Sequence, residues 1–245
     1  MFTAKLPSSL LPGVETRPAA VEHAEPRYER KLVAEGLARP EIEAILRVNH
    51  GLFRPIYAGR HVNNIYLDDP TRSSYRQTVE GVMNRMKIRI RWYGPLFGRV
   101  AAPRLEFKIK HGLTGRKELI ALPAFDFAAE WPPDWTDAIA ARLPEPYRLR
   151  LQWVEPALVN RYYRTYYLSA DRRFRITVDT DLTFHGASPR GLDPLRRAVD
   201  TGRSIVEIKY AVEDAADADR IAGAFPFRIS RYSKYANGLD FVGLR

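Results

Sequence analysis

Lys87, Arg89 and Arg91 occupy every second position of residues 84–94, NRMKIRIRWYG, with Met86, Ile88, Ile90 and Trp92 between them. A period of two marks a strand with one apolar and one polar face. Here the polar face is three cations in a row with no acid among them. Like charges on one face repel, so the arrangement costs stability unless something anionic is held there. Arginine forks grip phosphate oxygens in pairs, and lysine adds a compact point charge. The row therefore suits nucleic acid, a membrane surface or a phosphate-rich small molecule.

The pattern recurs. Leu105, Phe107 and Ile109 alternate with Glu106, Lys108 and Lys110, and Phe174, Ile176 and Val178 with Arg175, Thr177 and Asp179. Val206 and Ile208 flank Glu207, which is followed by Lys209; Arg27, Glu29 and Lys31 share a face of an earlier segment. Any one such strand fits an ordinary sheet, apolar inside and solvated outside. Five together, mostly of one sign and poor in neutral polar residues, fit better a sheet whose charged sides line a lumen. An empty lumen of this kind is unstable and calls for a polyanion. Glu29, Glu106, Glu207 and Asp179 would orient the cations or bind a hard divalent ion through oxygen.

The elements needed to position these residues are legible. Strands are predicted over 27–34, 62–69, 84–93, 104–112, 115–122, 157–169, 174–186 and 204–212. Ile42, Ile45 and Leu46 give 39–49 an amphipathic helical spacing. Residues 72–81 read as a short helix or turn, 125–153 as a Trp-rich helical stretch broken by prolines, and 214–225 as a helix with aspartates in its first turn. Strands follow strands without a βαβ repeat. The predicted class is α+β: an eight-stranded antiparallel β-barrel, or tunnel, with flanking helices. A loose leader over 1–26 and one domain over 27–245 are expected, with no linker-like shift between them.

Composition excludes other classes. The 245 residues carry a net charge of +10, no cysteine, and no apolar run of membrane-spanning length, so a cytoplasmic, disulfide-free protein is expected. There is no G-x-x-x-x-G-K-[ST] loop and no G-x-G-x-x-G. His23, His50, His61, His111 and His185 lack metal-ligand spacing and read as surface or turn residues. Asp68-Asp69-Pro70 reads as a turn rather than a catalytic carboxylate pair. Trp92, Tyr162, Tyr163, Tyr166 and Tyr167 could stack on bases, but read as packing residues, which disfavours nucleic acid as the partner.

The ordered set MKIRIRWYG, LEFKIK with Lys117, NRYYR, VEIKY and SRYSKY, preceded by ERK, resembles the VTC domain, the polyphosphate-polymerase domain of the vacuolar transporter chaperone. That domain belongs with the triphosphate tunnel metalloenzymes, relatives of the CYTH phosphatases, and the resemblance spans roughly residues 27–240. It implies a polyphosphate polymerase using ATP with Mn²⁺ or Mg²⁺. By motif, Lys31, Arg89, Arg91, Arg161 and Lys234 would act on the reacting phosphates. Lys108 and Lys117 would also bind phosphate, with Lys87, Lys110, Arg175 and Lys209 in support. Ser233 and Tyr235 would add hydroxyl contacts. Glu207 would hold the metal, with Glu29 and Glu106 assisting. CYTH-type enzymes open on Glu-x-Glu-x-Lys, where this chain has Arg27, Glu29 and Lys31. A cation replacing an acid weakens a two-metal hydrolase site and favours the polymerase. Hydrolysis of triphosphate or short polyphosphate, or non-catalytic polyanion binding, are the alternatives. Export or storage of the product would fall to a separately encoded membrane protein.

Overall fold

The computed structural model describes residues 21–24, 28–112, 114–132 and 135–244. Most of the expected leader, and Arg27, lie outside these residues. In chain order the elements are β1 (Val21–Ala24), β2 (Tyr28–Glu35), α1 (Arg39–Val48), β3 (Arg54–Asp68), α2 (Ser73–Val79), β4 (Arg85–Tyr93), β5 (Gly98–Val100), β6 (Arg104–His111), β7 (Thr114–Ala121), β8 (Phe125–Phe127), α3 (Trp135–Ala140), α4 (Glu145–Leu151), β9 (Glu155–Leu168), β10 (Arg175–Ser188), β11 (Gly191–Asp200), β12 (Arg203–Tyr210), α5 (Ala215–Gly223), β13 (Arg228–Ile229) and α6 (Lys234–Phe241).

Every strand pairing is antiparallel, and eleven strands form one sheet in the order β1-β7-β6-β4-β3-β9-β10-β12-β2-β13, with β11 attached to β10. The α+β class is as expected, but the eight-stranded closed barrel is not. The eight predicted strands are the run from β7 to β2, and β1, β11 and β13 extend it; among the described residues no hydrogen-bonded ladder closes the ends. Curvature does the work of closure. Glu29 on β2 reaches Lys108 on β6 at 3.6 Å, although the sheet order separates them widely. The extra strands lacked a clean signal: β11 contains Pro194, and β1 lies in the segment read as leader.

Alternation decides which side is dry. The outward residues of β4, β6 and β7, among them Ile88, Ile90, Trp92, Leu105, Phe107 and Ile120, pack with Phe127, Trp131 and Leu143 from β8 and the α3–α4 region. On the other half, Leu32, Ile176, Val178, Val206 and Ile208 pack beneath α1 and α5 through Ile42, Leu46, Ala218 and Ile221. The middle segment thus begins with strand β8 rather than being helical throughout. A third cluster sits on the inner side, where α6 lays Tyr235 and Leu239 against Val33, Tyr66, Leu182, Phe184 and Ile205. Left-handed Asp181 (φ 54°) marks a bulge in β10 between Thr180 and Thr183. Gly238 permits the close approach, since a Cβ there would meet Phe184 at 2.6 Å and Leu158 at 2.5 Å.

Candidate active site

The concave face is built from cross-strand rows, because directly paired residues point the same way. In one row Lys87 pairs with Lys108 and Lys108 with Lys117. In the next, Tyr66 pairs with Arg89 and Arg89 with Glu106. On the facing wall Lys31 pairs with Glu207, Glu207 with Thr177, and Thr177 with Tyr166. Lys31, Lys87, Arg89, Arg91, Lys108, Lys117, Arg164, Lys209 and Lys234 share the trough with only four carboxylates, Glu29, Glu106, Asp179 and Glu207.

The acids fall into two groups. Glu106, 2% exposed, takes Arg89 at 2.5 Å, Lys117 at 2.8 Å and Arg91 at 3.6 Å. Burial pushes its carboxyl up, but these three cations outweigh burial and hold it well below the usual range. It is a clamp for cations, with its oxygens committed to them. Asp179, fully buried, accepts a fork from Arg164 (Nε 2.5 Å, Nη2 2.7 Å) and Lys234 at 2.5 Å. Burial opposes its ionisation as well, and Arg164 and Lys234 overcome it.

Glu207 and Glu29 are held more loosely. Glu207 lies 3.5 Å from Lys31, 3.5 Å from Arg164, 3.6 Å from Lys234 and 3.8 Å from Lys209. Glu29 lies 3.3 Å from Lys31 and 3.6 Å from Lys108. Burial and neighbouring Glu207 raise the Glu29 carboxyl, yet Lys31, Lys108 and Lys209 bring it down to about 2. Glu207, also raised by burial, is held well below the carboxylate range by Lys234, Lys31 and Arg164. Both are ionised oxygen donors bound only to flexible ammonium and guanidinium groups, which suits a hard divalent ion. No group of three or more acid, histidine or cysteine side chains is poised for a metal among the described residues. Remaining ligands would have to be phosphate oxygens or water.

The opposite wall is short of acid. Lys87 donates to Ser233 Oγ at 3.0 Å and has no carboxylate partner among the described residues. Burial first, then Lys31, Lys108, Arg85 and Arg89, depress its ammonium far below its ordinary value. Glu29 supports the charge on Lys108, but burial, Lys31 and Arg89 bring it down to about 8. Burial, with Arg89 and Arg91, outweighs Glu106 and brings Lys117 to about 8 as well.

The structure brings most of the expected residues together and separates several. Lys31, Lys87, Arg89, Arg91, Lys108, Lys117 and Lys234 line the trough. Lys110 lies opposite Arg85 at the end of the cationic wall, where burial, Arg85, Arg231 and Lys31 lower its ammonium. Arg175 and Lys209 pair at the far end of β10 and β12 and line a recess with Arg172, Arg173 and Asp214, although Lys209 also reaches Glu207 at the edge of the trough, at 3.8 Å. Arg161 pairs with Asn63, which pairs with outward Trp92, and its Nε donates to His61 Nδ1 at 3.2 Å. Arg164, three residues on in the same motif, faces inward instead. Tyr235 is also elsewhere: buried, it donates to Asp68 Oδ2 at 2.5 Å and stacks on Tyr66 at 5.0 Å. Asp68 accepts from Ser74 N and Tyr75 N too, so it ties α2 to α6 and does more than form a turn. Ser233 N-caps α6, accepting from Ala236 N at 3.3 Å. Of the histidines read as surface or turn residues, His50 is exposed in a turn and His111 is exposed, while His23, His61, His111 and His185 all lie in strands.

Some trough residues carried no sequence signal. Asn64 and Asn160, both fully buried, link at 2.8 Å, and Arg91 donates to Asn64 Oδ1 at 2.8 Å and to Tyr162 Oη at 3.2 Å. Opposite parity of Arg161 and Arg164 was the one available clue to which faces inward.

Among solved structures, the fold is similar to a "putative adenylate cyclase" from Vibrio parahaemolyticus, at 13% identity and a TM-score of 0.48, covering 87% of this chain and 98% of that one. It is also similar to the "putative adenylyl cyclase HpAC1" from Hippeastrum, described as having a dominant triphosphatase activity, at 14% identity, a TM-score of 0.47, and 87% and 95% coverage. No curated protein matches. The VTC domain family matches residues 22–242, nearly the whole described chain and all of the trough: this chain belongs to the VTC domain family.

Proposed function

We propose that the trough holds a triphosphate or polyphosphate chain together with Mn²⁺ or Mg²⁺, and transfers the γ-phosphate of ATP to a polyphosphate end with release of ADP. The observation that carries this reading is the row Lys87–Lys108–Lys117, three cations in direct register with no acid interposed. Lys117 and Lys108 each reach one acid, Glu106 and Glu29, but Lys87 has none among the described residues, and a multivalent anion would compensate the row as a whole.

In this reading the bond from the γ-phosphorus to the β,γ-bridging oxygen breaks, and its electrons leave with ADP. A terminal oxygen of the acceptor chain forms the new bond to phosphorus. Phosphoryl transfer asks the protein mainly for position and charge stabilisation. Lys87, Lys108 and Lys117 would hold nonbridging oxygens, while Arg89 and Arg91, braced by Glu106, present guanidinium edges to the transferring group. Lys31 and Lys234, fixed by Glu207 and Asp179, face them from the other wall. Glu207 and Glu29 would hold the divalent ion, which when bound would supply positive charge against the negative charge developing on the phosphates. Arg27 in place of an acid is consistent with a site that holds a chain.

The test is incubation of the pure protein with ATP and Mn²⁺, with products resolved on a polyphosphate-stained gel. A ladder lost in Arg89→Ala supports the polymerase. Free phosphate without a ladder replaces it with a phosphatase, and tight polyphosphate binding without either product leaves a binder.

A further inference from the structure

The first half of β3, Arg-Pro-Ile-Tyr-Ala-Gly-Arg, has no clean alternation, and the structure shows why it is present. Arg60 faces the concave side by simple alternation with Val62, Asn64 and Tyr66, and the register shifts between Pro55 and Tyr57, and again between Tyr57 and Arg60, turn Tyr57 to the same side. Bulges are a means of re-aiming side chains beside a site. Gly59 allows this one, since a Cβ there would come within 2.4 Å of Tyr163 Oη. Tyr57 meets Tyr166 edge to face at 5.8 Å. Arg60 lies 3.8 Å over the Tyr93 ring and donates from Nε to Tyr166 Oη at 2.9 Å. It has no carboxylate partner among the described residues. Tyr57 is 65% exposed and Tyr93 44% exposed, so ring surface remains uncovered beside the trough.

This cluster is in register with the reacting wall. Tyr57 pairs with Tyr166, Tyr166 with Thr177, Thr177 with Glu207 and Glu207 with Lys31. At roughly 4.8 Å per strand, Tyr166 lies about 10 Å and Tyr57 about 14 Å from Glu207 along the row. An extended nucleoside triphosphate spans a comparable length. Between them, the buried Thr177 hydroxyl has no hydrogen-bond partner among the described residues, and native structures rarely leave a buried polar group unsatisfied without reason.

We infer that Tyr57, Arg60, Tyr93 and Tyr166 seat the base of a nucleoside triphosphate, with Thr177 reaching its sugar or α-phosphate and the remaining phosphates running toward Glu207 and Lys31. The inference rests on the trough holding phosphates, as proposed above, and adds how the donor nucleotide is told from inorganic phosphate chains. Stacking on a tyrosine face tolerates any base and favours larger purines.

The test is calorimetric titration of the full chain and of Tyr57→Ala, Tyr57→Phe and Arg60→Ala with ATP and, separately, with inorganic tripolyphosphate. Tyr57→Ala is expected to weaken ATP about tenfold or more and to leave tripolyphosphate within about twofold of wild type, with Tyr57→Phe retaining ATP affinity. Unchanged ATP affinity in Tyr57→Ala, or equal loss of both ligands, overturns the base seat while leaving the phosphate trough standing. A wild-type chain that binds neither ligand overturns the trough reading and the base seat with it.

Discussion

Lys87 and Lys108 stand directly opposite each other on β4 and β6, and among the described residues the one hydrogen bond from Lys87 Nζ goes to a serine hydroxyl, Ser233 Oγ. The fold accepts this repulsion in an exposed trough, and the cost appears as depressed ammonium groups. Lys108 and Lys117 fall from their ordinary value to about 8, and burial with Lys31 and Lys108 holds Lys87 well below its own. The sign follows: a lysine whose folded value is depressed disfavours folding while protonated. That penalty is present below about 8 and is relieved as pH rises toward the unfolded lysine value.

A bound polyanion removes the penalty and restores the charge. Thermal stabilisation by tripolyphosphate should therefore be large near about pH 7, where Lys108 and Lys117 are already charged, and smaller near about pH 9.5, where binding must take up protons. Melting curves with and without tripolyphosphate at both values check this. An equal shift at the two would contradict the cationic row as the binding surface.

Arg161 and Arg164 provide a sharper contrast. Arg164→Lys loses the fork onto Asp179 and should lower turnover by about a hundredfold, with the chain still folded. Arg161→Ala, on the outer face, should leave turnover within about twofold, as surface substitutions usually do. Steady-state rates with melting temperatures for both variants decide the matter; the reverse ranking would place the chemistry on the other side of the sheet.

The two classes of acid should separate under metal titration. Glu207→Gln should raise the Mn²⁺ concentration needed for half-maximal turnover, because it removes one of the two loosely held oxygen donors. Glu106→Gln should leave that concentration unchanged but destabilise the fold by about 3–5 kcal/mol, because Arg89, Arg91 and Lys117 lose their buried partner. If Glu106→Gln shifts the metal requirement instead, Glu106 is a ligand after all.

Tyr235→Phe removes one hydroxyl and leaves Asp68 Oδ2 short of a donor. A loss of about 1–3 kcal/mol in stability is expected from the lost hydrogen bond to a charged group, since Oδ2 keeps only the Tyr75 N–H among the described residues. Because α6 carries Lys234 and Ser233, the variant should also reduce turnover several-fold while phosphate-chain affinity changes little. Tripolyphosphate affinity falling as far as turnover would return Tyr235 to the list of direct phosphate contacts.

The sequence by itself determined the strands and their two faces. The apolar positions of β4, β6, β10 and β12 alternate so cleanly with charge that a one-residue register slip would bury Lys87, Arg89 and Arg91 in the Trp92 core, and no packing could compensate for that. It also put Lys87, Arg89 and Arg91 on one strand face with no acid between them, whereas Glu106, which braces Arg89 and Arg91, comes from the neighbouring strand. Tertiary structure alone decided the rest. Bulges changed side-chain parity in β3 and β10, which local alternation cannot foresee, and brought Tyr57 inward beside Arg60. The order of strands put Asn63 between Arg161 and Trp92, and so turned Arg161 out and Arg164 in. Curvature without hydrogen-bonded closure set Glu29 against Lys108. The docking of α6 converted Tyr235 from a hydroxyl donor to phosphate into the anchor that holds Lys234 on Asp179.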